Sequence, residues 1–253
     1  MKCLNEYISE KLVVSKTMKT DYSCQPKTSD ELRKILEERL KKDKSCSLND
    51  IDVSKIDDMS YLFDGLDPHD IDLSSWDVSR VTKMTNMFYR CYNFNCDLSQ
   101  WDVSNAKDME NMFYCCERFN SDLSGWDVSS VKIMMFMFVD CDNLNSDLSS
   151  WDVSNVVSMK YMFANCKKFN SDLSSWNVSN CEKMDSMFMN CFNFNSDLSG
   201  WDVSSVNDMN SMFYNCNKFN SDLSSWNVSN VKYMHSMFAG CTSLKIKPAW
   251  YKG

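Results

Sequence analysis

The sequence predicts an α/β repeat solenoid in which every 25-residue unit contributes one short parallel strand and one short helix or 3₁₀ turn. The first observation is the period, because tryptophan recurs at one interval from Trp76 to Trp226 without insertion or deletion. The second is that the residues after each tryptophan hardly vary, being Asp or Asn, then Val, then Ser. A fixed period of this length is typical of repeats that stack and share one core.

The third observation is a change of apolar spacing inside the unit, whose tryptophan we number as position 1. Leu98, Trp101 and Val103 have the spacing L-x-x-W-x-V, which suits a short strand with one buried face. The apolar residues from Val81 to Cys91 then follow at intervals of three or one, which is one face of a helix. Ser79 and its equivalents at position 4 lie where such a helix needs an N-cap.

The spacing of stacked elements predicts the curvature of the solenoid. Strands lie about 4.8 Å apart, whereas packed helices need about 8 to 10 Å between their axes. We therefore expect strands on a concave inner face and short helices on the outer face.

The same patterns divide the chain into four parts. Residues 1–27 lack sustained periodicity and are interpreted as an N-terminal extension. Residues 28–47 are predicted to be a capping helix and a link, because N-cap candidates at Thr28 to Asp30 precede one apolar face that reaches about Lys42. Residues 48–244 hold about eight units, of which the first, from Ile51, is degenerate in the way that terminal repeats are. Residues 245–253 form the C-terminal end, where the repeat pattern is lost.

The charge balance argues against several partner classes. The net charge is −8, and residues 1–50 hold 11 basic and 9 acidic residues, which leaves 16 basic and 26 acidic residues for the rest. An acidic array repels phosphate backbones and anionic membrane surfaces, so we expect no binding to nucleic acid. No signal peptide is readable, and no apolar run approaches the roughly 20 residues that span a bilayer, so we expect no membrane insertion. We expect a monomer.

The 13 cysteines are interpreted mainly as core residues. Position 16 is cysteine in seven successive units, and neighbouring units should hold these thiols too far apart for disulfides. Without a C-x-x-C pair, buried free thiols are favoured over a metal or redox ladder, and they suit a reducing cytoplasm. Cys96 and Cys115 are the candidates for reactive thiols if they are exposed.

The remaining recurrent residues also favour packing over chemistry. The tryptophans and the two methionine columns have the spacing of buried faces, so a stacking platform and a methionine-rich binding groove are disfavoured. Only His69 and His235 are available as histidine bases, and no nucleophile has a fixed base partner. We therefore expect no catalytic residues, no cofactor and no metal site.

These residues resemble the BspA-like leucine-rich repeat family, in its branch of 25-residue repeats F-N-x-D-L-S-x-W-D-V-S-x-V-x-x-M-x-x-M-F. Phe169 to Trp176 and Met184 to Cys191 carry the resemblance most clearly, and it extends over about residues 48–244. The resemblance implies a leucine-rich-repeat-like right-handed coil, found on microbial surfaces or in expanded multigene sets. It further implies adhesion and protein binding rather than catalysis.

Two columns of aspartate leave an alternative open. Neighbouring carboxylates of like charge repel, at a cost of about 1 to 3 kcal/mol per pair before screening. Hydrogen bonds to the turn backbone are the favoured compensation, and a structural, cation-binding or periodic-ligand role is the alternative. The alternative ladder is Asp77, Asp102, Asp127, Asp152 and Asp202.

The specific binding surface is predicted where the sequence varies from unit to unit. A surface that distinguishes one protein from another needs varied side chains, with aromatic and Arg anchors favoured. The helix and turn segment carries this variation, and we predict that it binds a protein partner. The predicted partner-binding residues are Tyr89, Arg90, Tyr114, Glu117, Arg118, Met135, Phe136, Met189 and Phe192.

Overall fold

The computed structural model describes residues 22–252, and within them the one helix, α1, spans Ser29–Lys42. Its bounds agree with the predicted capping helix. Thr28 is the N-cap, and its Oγ1 accepts a hydrogen bond of 3.2 Å from the backbone N–H of Glu31. The helix buries one face, which consists of Leu32, Leu36 and Leu40. Residues 1–21 of the predicted extension lie outside the described residues.

After α1 the chain forms successive coils of 25 residues, each stacked on the coil before. No strand longer than a single bridge is found between residues 22 and 252, and most parallel bridges join residues 25 apart. Seven bridges join consecutive residues at position 8, namely Asp58, Lys83, Asp108, Ile133, Ser158, Lys183, Asp208 and Tyr233. The prediction placed the strand at L-x-x-W-x-V, and this location is wrong.

Positions 9 to 15 form a backbone ladder between coils. Each odd position donates its N–H to the next coil, as in the 2.9 Å bond from Phe113 to the carbonyl oxygen of Met137. Positions 12 and 14 instead close four-residue turns within the coil, as in the 3.2 Å bond from Met112 to Met109. The chain therefore bonds to its neighbour and to itself at alternate residues.

Two columns of left-handed residues make this alternation possible. Positions 11 and 15 have positive φ in every coil, including non-glycine residues such as Phe136 at 58° and Asn165 at 65°. A positive φ at the third residue of a four-residue turn is the geometry of a type II turn. Asn, Asp and Gly tolerate it best, which explains why position 15 is mostly occupied by them.

The helix predicted for each unit is therefore not formed. An α-helix would direct its N–H groups to its own carbonyl oxygens four residues back, which leaves none for the next coil. Packed helices would also need about 8 to 10 Å between axes. Turns can follow the closer spacing of a parallel ladder, in which strands lie about 4.8 Å apart. Ser79 consequently caps no helix, and its N–H donates to Asp77 Oδ1 at 3.1 Å.

The half of the coil from position 19 to position 6 is joined by side chains instead. Each tryptophan indole donates to a leucine carbonyl oxygen of the neighbouring coil, as from Trp126 to Leu98 at 3.0 Å. A buried serine at position 21 accepts from the leucine N–H of the coil before, as Ser121 does from Leu98 at 2.9 Å. Asparagines at position 20 form a further ladder that includes Asn95, Asn120, Asn145, Asn170, Asn195 and Asn220.

The core is continuous along the stack. The tryptophans from Trp76 to Trp226 are only 3 to 4% exposed, and the methionines at positions 9 and 12 are fully buried in the internal coils. This confirms the prediction that both sets are core residues. Equivalent rings stack on one another, with 5.5 Å between the centroids of Phe88 and Phe113.

The helix α1 covers the first coil, whose carbonyl oxygens have no earlier coil to accept from. Arg33 Nη1 donates to the carbonyl oxygens of Tyr61 and Leu62 at 3.0 Å, and Nη2 donates to that of Asp64 at 2.9 Å. Ser29 Oγ donates to the carbonyl oxygen of Asp58. The side chains of α1 thus replace donors that a preceding coil would supply.

At the other end, Trp250 occupies the place of a further tryptophan. Its indole donates to the carbonyl oxygen of Leu223 at 2.9 Å, and its ring stacks on Trp226 with 6.3 Å between centroids. In the part of the chain that is described, no helix is both long and apolar enough to cross a membrane.

Candidate functional site

The predicted partner-binding residues at position 14 come together as an aromatic pair. Tyr89 and Tyr114 stack with 4.9 Å between ring centroids, and the Arg90 guanidinium lies 5.0 Å from the centre of the Tyr89 ring. We call these three residues the Tyr89 cluster. A guanidinium at this distance from an aromatic ring is held by cation–π attraction while it remains available to an anion.

The Tyr89 cluster is only partly covered. Both tyrosines are half-buried, and Arg90 is exposed. Burial raises the pKa of the Tyr114 hydroxyl, and the nearby Cys115 and Asp140 raise it further. The hydroxyl therefore stays neutral at physiological pH and can act as a hydrogen-bond donor.

A second aromatic pair lies two coils further along, at position 11. Phe136 stacks on Tyr161 with 5.3 Å between centroids, and Lys160 Nζ lies 5.6 Å from the centre of the Tyr161 ring. The same Nζ is 3.1 Å from a carboxylate oxygen of Asp185. Burial raises the pKa of the Asp185 carboxyl, although Lys160 acts in the opposite direction. This pair therefore combines an aromatic surface with a partly buried ion pair.

Met135 belongs to a different feature, a shallow apolar depression of about 450 Å³. Ile133 and Val157 form its apolar floor together with Met135, and the Val157 side chain is 41% exposed. Lys132, Lys183 and Glu182 surround it. An apolar floor with a charged rim is the arrangement found at the centre of protein interfaces.

The other predicted residues are not brought into these features. The backbones of Glu117 and Arg118 bond to neighbouring coils, through a 3.2 Å bond from Asn143 to the Glu117 carbonyl oxygen and a 3.3 Å bond from Arg118 to Tyr92. Met189 is half-buried and Phe192 is exposed. Within residues 22–252, no aromatic stacking or salt bridge joins any of these four to the Tyr89 cluster.

Sequence reasoning did not include Ile133, Val157, Lys160 and Tyr161. A signal for two of them is present, because Ile133 and Val157 stand at positions 8 and 7, where most other units have a polar residue. Lys160 and Tyr161 precede a methionine of the repeat in the same way as Met135 and Phe136 do. Their contact across the stack becomes visible only when the ladder places equivalent positions side by side.

The aspartate columns act as caps of turns. Asp127 Oδ1 accepts from the N–H of Ser129 at 3.0 Å, and Asp152 Oδ1 accepts from that of Ser154 at 3.0 Å. Hydrogen bonds to the serine at position 4 hold the pKa of three carboxyls in the first column below the ordinary value, namely Asp102, Asp152 and Asp202. These bonds supply the compensation that the sequence required for adjacent like charges.

The described residues contain no group of three or more His, Cys, Asp or Glu side chains that could hold a metal ion. The thiols of the position 16 column are occupied, since each donates to a phenylalanine carbonyl oxygen of the coil before, as Cys116 does to Phe88 at 3.1 Å. Cys96 is buried, and burial raises its pKa to about 11. Cys115 is half-buried, and burial and the adjacent Asp140 raise its pKa to about 12. Reactivity was expected of these two thiols only if they were exposed, and this condition is not met for Cys96 and is met only in part for Cys115.

The family model described as "Mycoplasma protein of unknown function, DUF285" matches residues 32–151 and 134–250. Neither a curated protein nor a solved structure matches the chain.

Proposed function

We propose that this chain, which belongs to the DUF285 family of Mycoplasma proteins of unknown function, is a non-enzymatic scaffold that binds another protein, in the manner of an adhesin. The observation that carries the proposal is the Tyr89 cluster. It places two stacked tyrosines and an exposed arginine in the segment of the coil that varies from unit to unit. Tyr and Arg are the residue types that most often supply binding energy at interfaces.

The architecture supports the proposal. We propose that the coils are a form of the leucine-rich repeat solenoid in which turns take the place of the helix. One buried leucine per coil, an asparagine ladder and a continuous aromatic core support this assignment. Solenoids of this kind present long surfaces that suit protein partners.

A role without catalysis is part of the same proposal. The buried thiols have pKa values above the ordinary range, as for Cys91 at about 12, and this makes them poor nucleophiles. The depressed pKa values of the aspartates at the turns favour carboxylates that are already bonded to backbone N–H groups rather than proton donors.

The test is capture of a partner by the immobilised protein, followed by measurement of Kd for the protein identified by mass spectrometry. Tyr114→Ser with Arg90→Glu should weaken binding roughly 10-fold or more, because it removes the ring contact and reverses the charge. Arg118→Glu should weaken it less, since Arg118 lies outside the cluster. Asp127→Asn with Asp152→Asn is the matched control and should leave Kd unchanged. The proposal fails if the control weakens binding and the cluster variant does not.

A structural or cation-binding role for the aspartate ladder is the second candidate, and the repetition of carboxylates on successive coils is the observation that favours it. Calcium at millimolar concentration should then raise the Tm through preferential binding to the folded state. We expect no rise, because one oxygen of each carboxylate is already used by a turn N–H. A rise that disappears in Asp127→Asn with Asp152→Asn would favour the second candidate.

A further inference from the structure

The last coil ends in a row of backbone donors. In the coil before it, the N–H groups of Met209, Ser211, Phe213 and Asn215 donate to carbonyl oxygens of residues 233 to 239 at 2.7 to 3.0 Å. The equivalent groups one coil later belong to Met234, Ser236, Phe238 and Gly240. Among residues 22–252 these four N–H groups have no acceptor. We call this row the donor edge.

The donor edge is accessible, although the core beneath it is covered. Trp250 covers Trp226, and Tyr251 packs edge-on against Phe238 with 5.0 Å between centroids. Tyr233, by contrast, is 51% exposed, and Ser236 and Gly240 are also exposed. Met234 is half-buried, whereas the equivalent Met209 is fully buried. The described part of the chain therefore closes the core, to which the 2% exposed Phe238 belongs, and leaves Ser236 and Gly240 of the row exposed and Met234 half-buried.

The charge at this end is opposite to that of the stack. Residues 223–253 contain four lysines and no acidic residue, whereas residues 51–222 contain 12 basic and 26 acidic residues. Lys232 lies two residues before Met234, the first residue of the donor edge. Lys247 lies near the edge, because its Nζ is 5.3 Å from the centre of the Tyr251 ring, which contacts the Phe238 ring. The edge thus offers hydrogen-bond donors close to two positive charges.

The first coil of the stack presents backbone acceptors, whereas the last coil presents backbone donors. The first coil has unpaired acceptors, and Arg33 and Ser29 of α1 supply their donors. A second copy could not supply acceptors to the donor edge from its own first coil unless α1 left its place. A flexible peptide can supply them when it adopts the turn conformation of a coil, in which every second carbonyl oxygen faces the preceding coil.

We propose that the donor edge binds an acidic peptide segment of a partner protein, which adds to the last coil through its main-chain carbonyl oxygens. The carbonyl oxygens supply the acceptors that a further coil would provide. Acidic side chains pair with Lys232 and Lys247 and select this edge by charge. This site is separate from the Tyr89 cluster and does not depend on the function proposed for it.

Hydrogen exchange measured by mass spectrometry tests the proposal on the full chain. The probe is a synthetic peptide of five Glu-Gly repeats, in which glycine permits the left-handed residues found at positions 11 and 15 of each coil. The amides of residues 234–240 should exchange faster than those of residues 209–215 in the free protein. Excess peptide should slow exchange at residues 234–240 and nowhere else. A matching peptide of Lys-Gly repeats should have no effect.

Reversing the charge of lysines shows whether the acidic peptide binds at the donor edge or is attracted to lysines anywhere on the protein. Lys232→Glu with Lys247→Glu should weaken peptide binding roughly 5- to 10-fold, because two attractive pairs become repulsive. Lys107→Glu with Lys55→Glu is the control, since Lys107 is exposed at the same position 7 as Lys232 and Lys55 is exposed in the first coil. The proposal is overturned if both double variants bind equally, or if exchange at residues 234–240 does not change. Protection by a single-stranded oligonucleotide, or a dimer in sedimentation that protects the same amides without peptide, would overturn it too.

Discussion

The indole nitrogen of Trp151 donates a hydrogen bond of 2.9 Å to the carbonyl oxygen of Leu123, which lies 28 residues earlier in the chain. The same ring is stacked on Trp126 and Trp176, with 6.4 Å and 6.3 Å between centroids. One side chain thus joins three coils in a half of the unit that lacks a backbone ladder.

Trp151→Ala should therefore lower the free energy of unfolding by about 3 to 5 kcal/mol, since it leaves a cavity and removes one of the two hydrogen bonds that the Leu123 carbonyl oxygen accepts, the other being from the backbone N–H of Trp126. Urea denaturation followed by circular dichroism measures the change. Trp151→Phe keeps most of the ring and should cost less. A denaturation midpoint for Trp151→Ala equal to that of the parent would contradict the role of the tryptophan row.

Cys181 allows a test of pH dependence, because it stands at position 6, where most units have valine. Burial raises its pKa to about 12, whereas an unfolded thiol titrates near 8.5. Between these values the unfolded state has lost its proton and the folded state has kept it, so stability falls as pH rises. The contribution of the protonated Cys181 thiol to the free energy of unfolding is fully present below about pH 8.5.

Cys181→Val should remove this contribution and make the fall with pH shallower. The free energy of unfolding of the variant minus that of the parent should be about 1 kcal/mol more positive at about pH 9.5 than at about pH 7. Urea denaturation at both pH values, with a reducing agent present, measures the difference. Parallel pH profiles for the two proteins would show that this thiol does not titrate as its burial requires.

Ser211 tests the left-handed column, since its φ is 53° and no hydrogen bond of its side chain is found among the described residues. Ser211→Gly should be neutral or stabilising, whereas Ser211→Val should destabilise by about 1 to 2 kcal/mol. The same pair of changes at Ser205, which is exposed and has no positive φ, should show no such contrast. Thermal unfolding compares all four variants. Equal effects at both sites would mean that position 11 does not need a left-handed residue in solution.

Arg33 tests the covering of the first coil. Arg33→Met removes three hydrogen bonds to edge carbonyl oxygens and should cost about 1 to 3 kcal/mol. Arg33→Lys should recover only part of the loss, because an ammonium lacks the planar fork of donors. Lys34→Met, an exposed change on the same helix, is the control. If it destabilises the protein as much as Arg33→Met does, the effect comes from the helix and not from the edge.

The sequence could predict the period, the capping helix and the core columns because these depend on burial, which recurs with the unit. Trp151 and Met159 are buried for the same reason in every coil. The path of the chain within a unit could not be predicted in this way. The spacing of Val81, Met84, Met87 and Phe88 fits a helical face, yet the same residues also point inward from successive turns.

The evidence against the helix was present at position 15, where Asn165, Asn190 and Asn215 recur between apolar residues. Asn is a common left-handed residue and a poor one inside a helix. For the candidate site, the sequence could identify variable residues but not their neighbours. Tyr89 and Tyr114 are 25 residues apart, and only the stacking of coils brings their rings together.

Because equivalent hydrogen bonds join each coil to the next, the number of coils can change without altering the contacts between them. Deletion of residues 151–175 would place Trp176 where Trp151 now lies, with Leu123 as the acceptor for its indole. Every donor and acceptor of the ladder would find an equivalent partner, so no new interface would have to evolve. A protein shortened by one coil should therefore fold, and a single sharp unfolding transition of the variant that lacks residues 151–175 would show that it does. The length of the stack can then change while the side chains on the surface of the remaining coils stay the same.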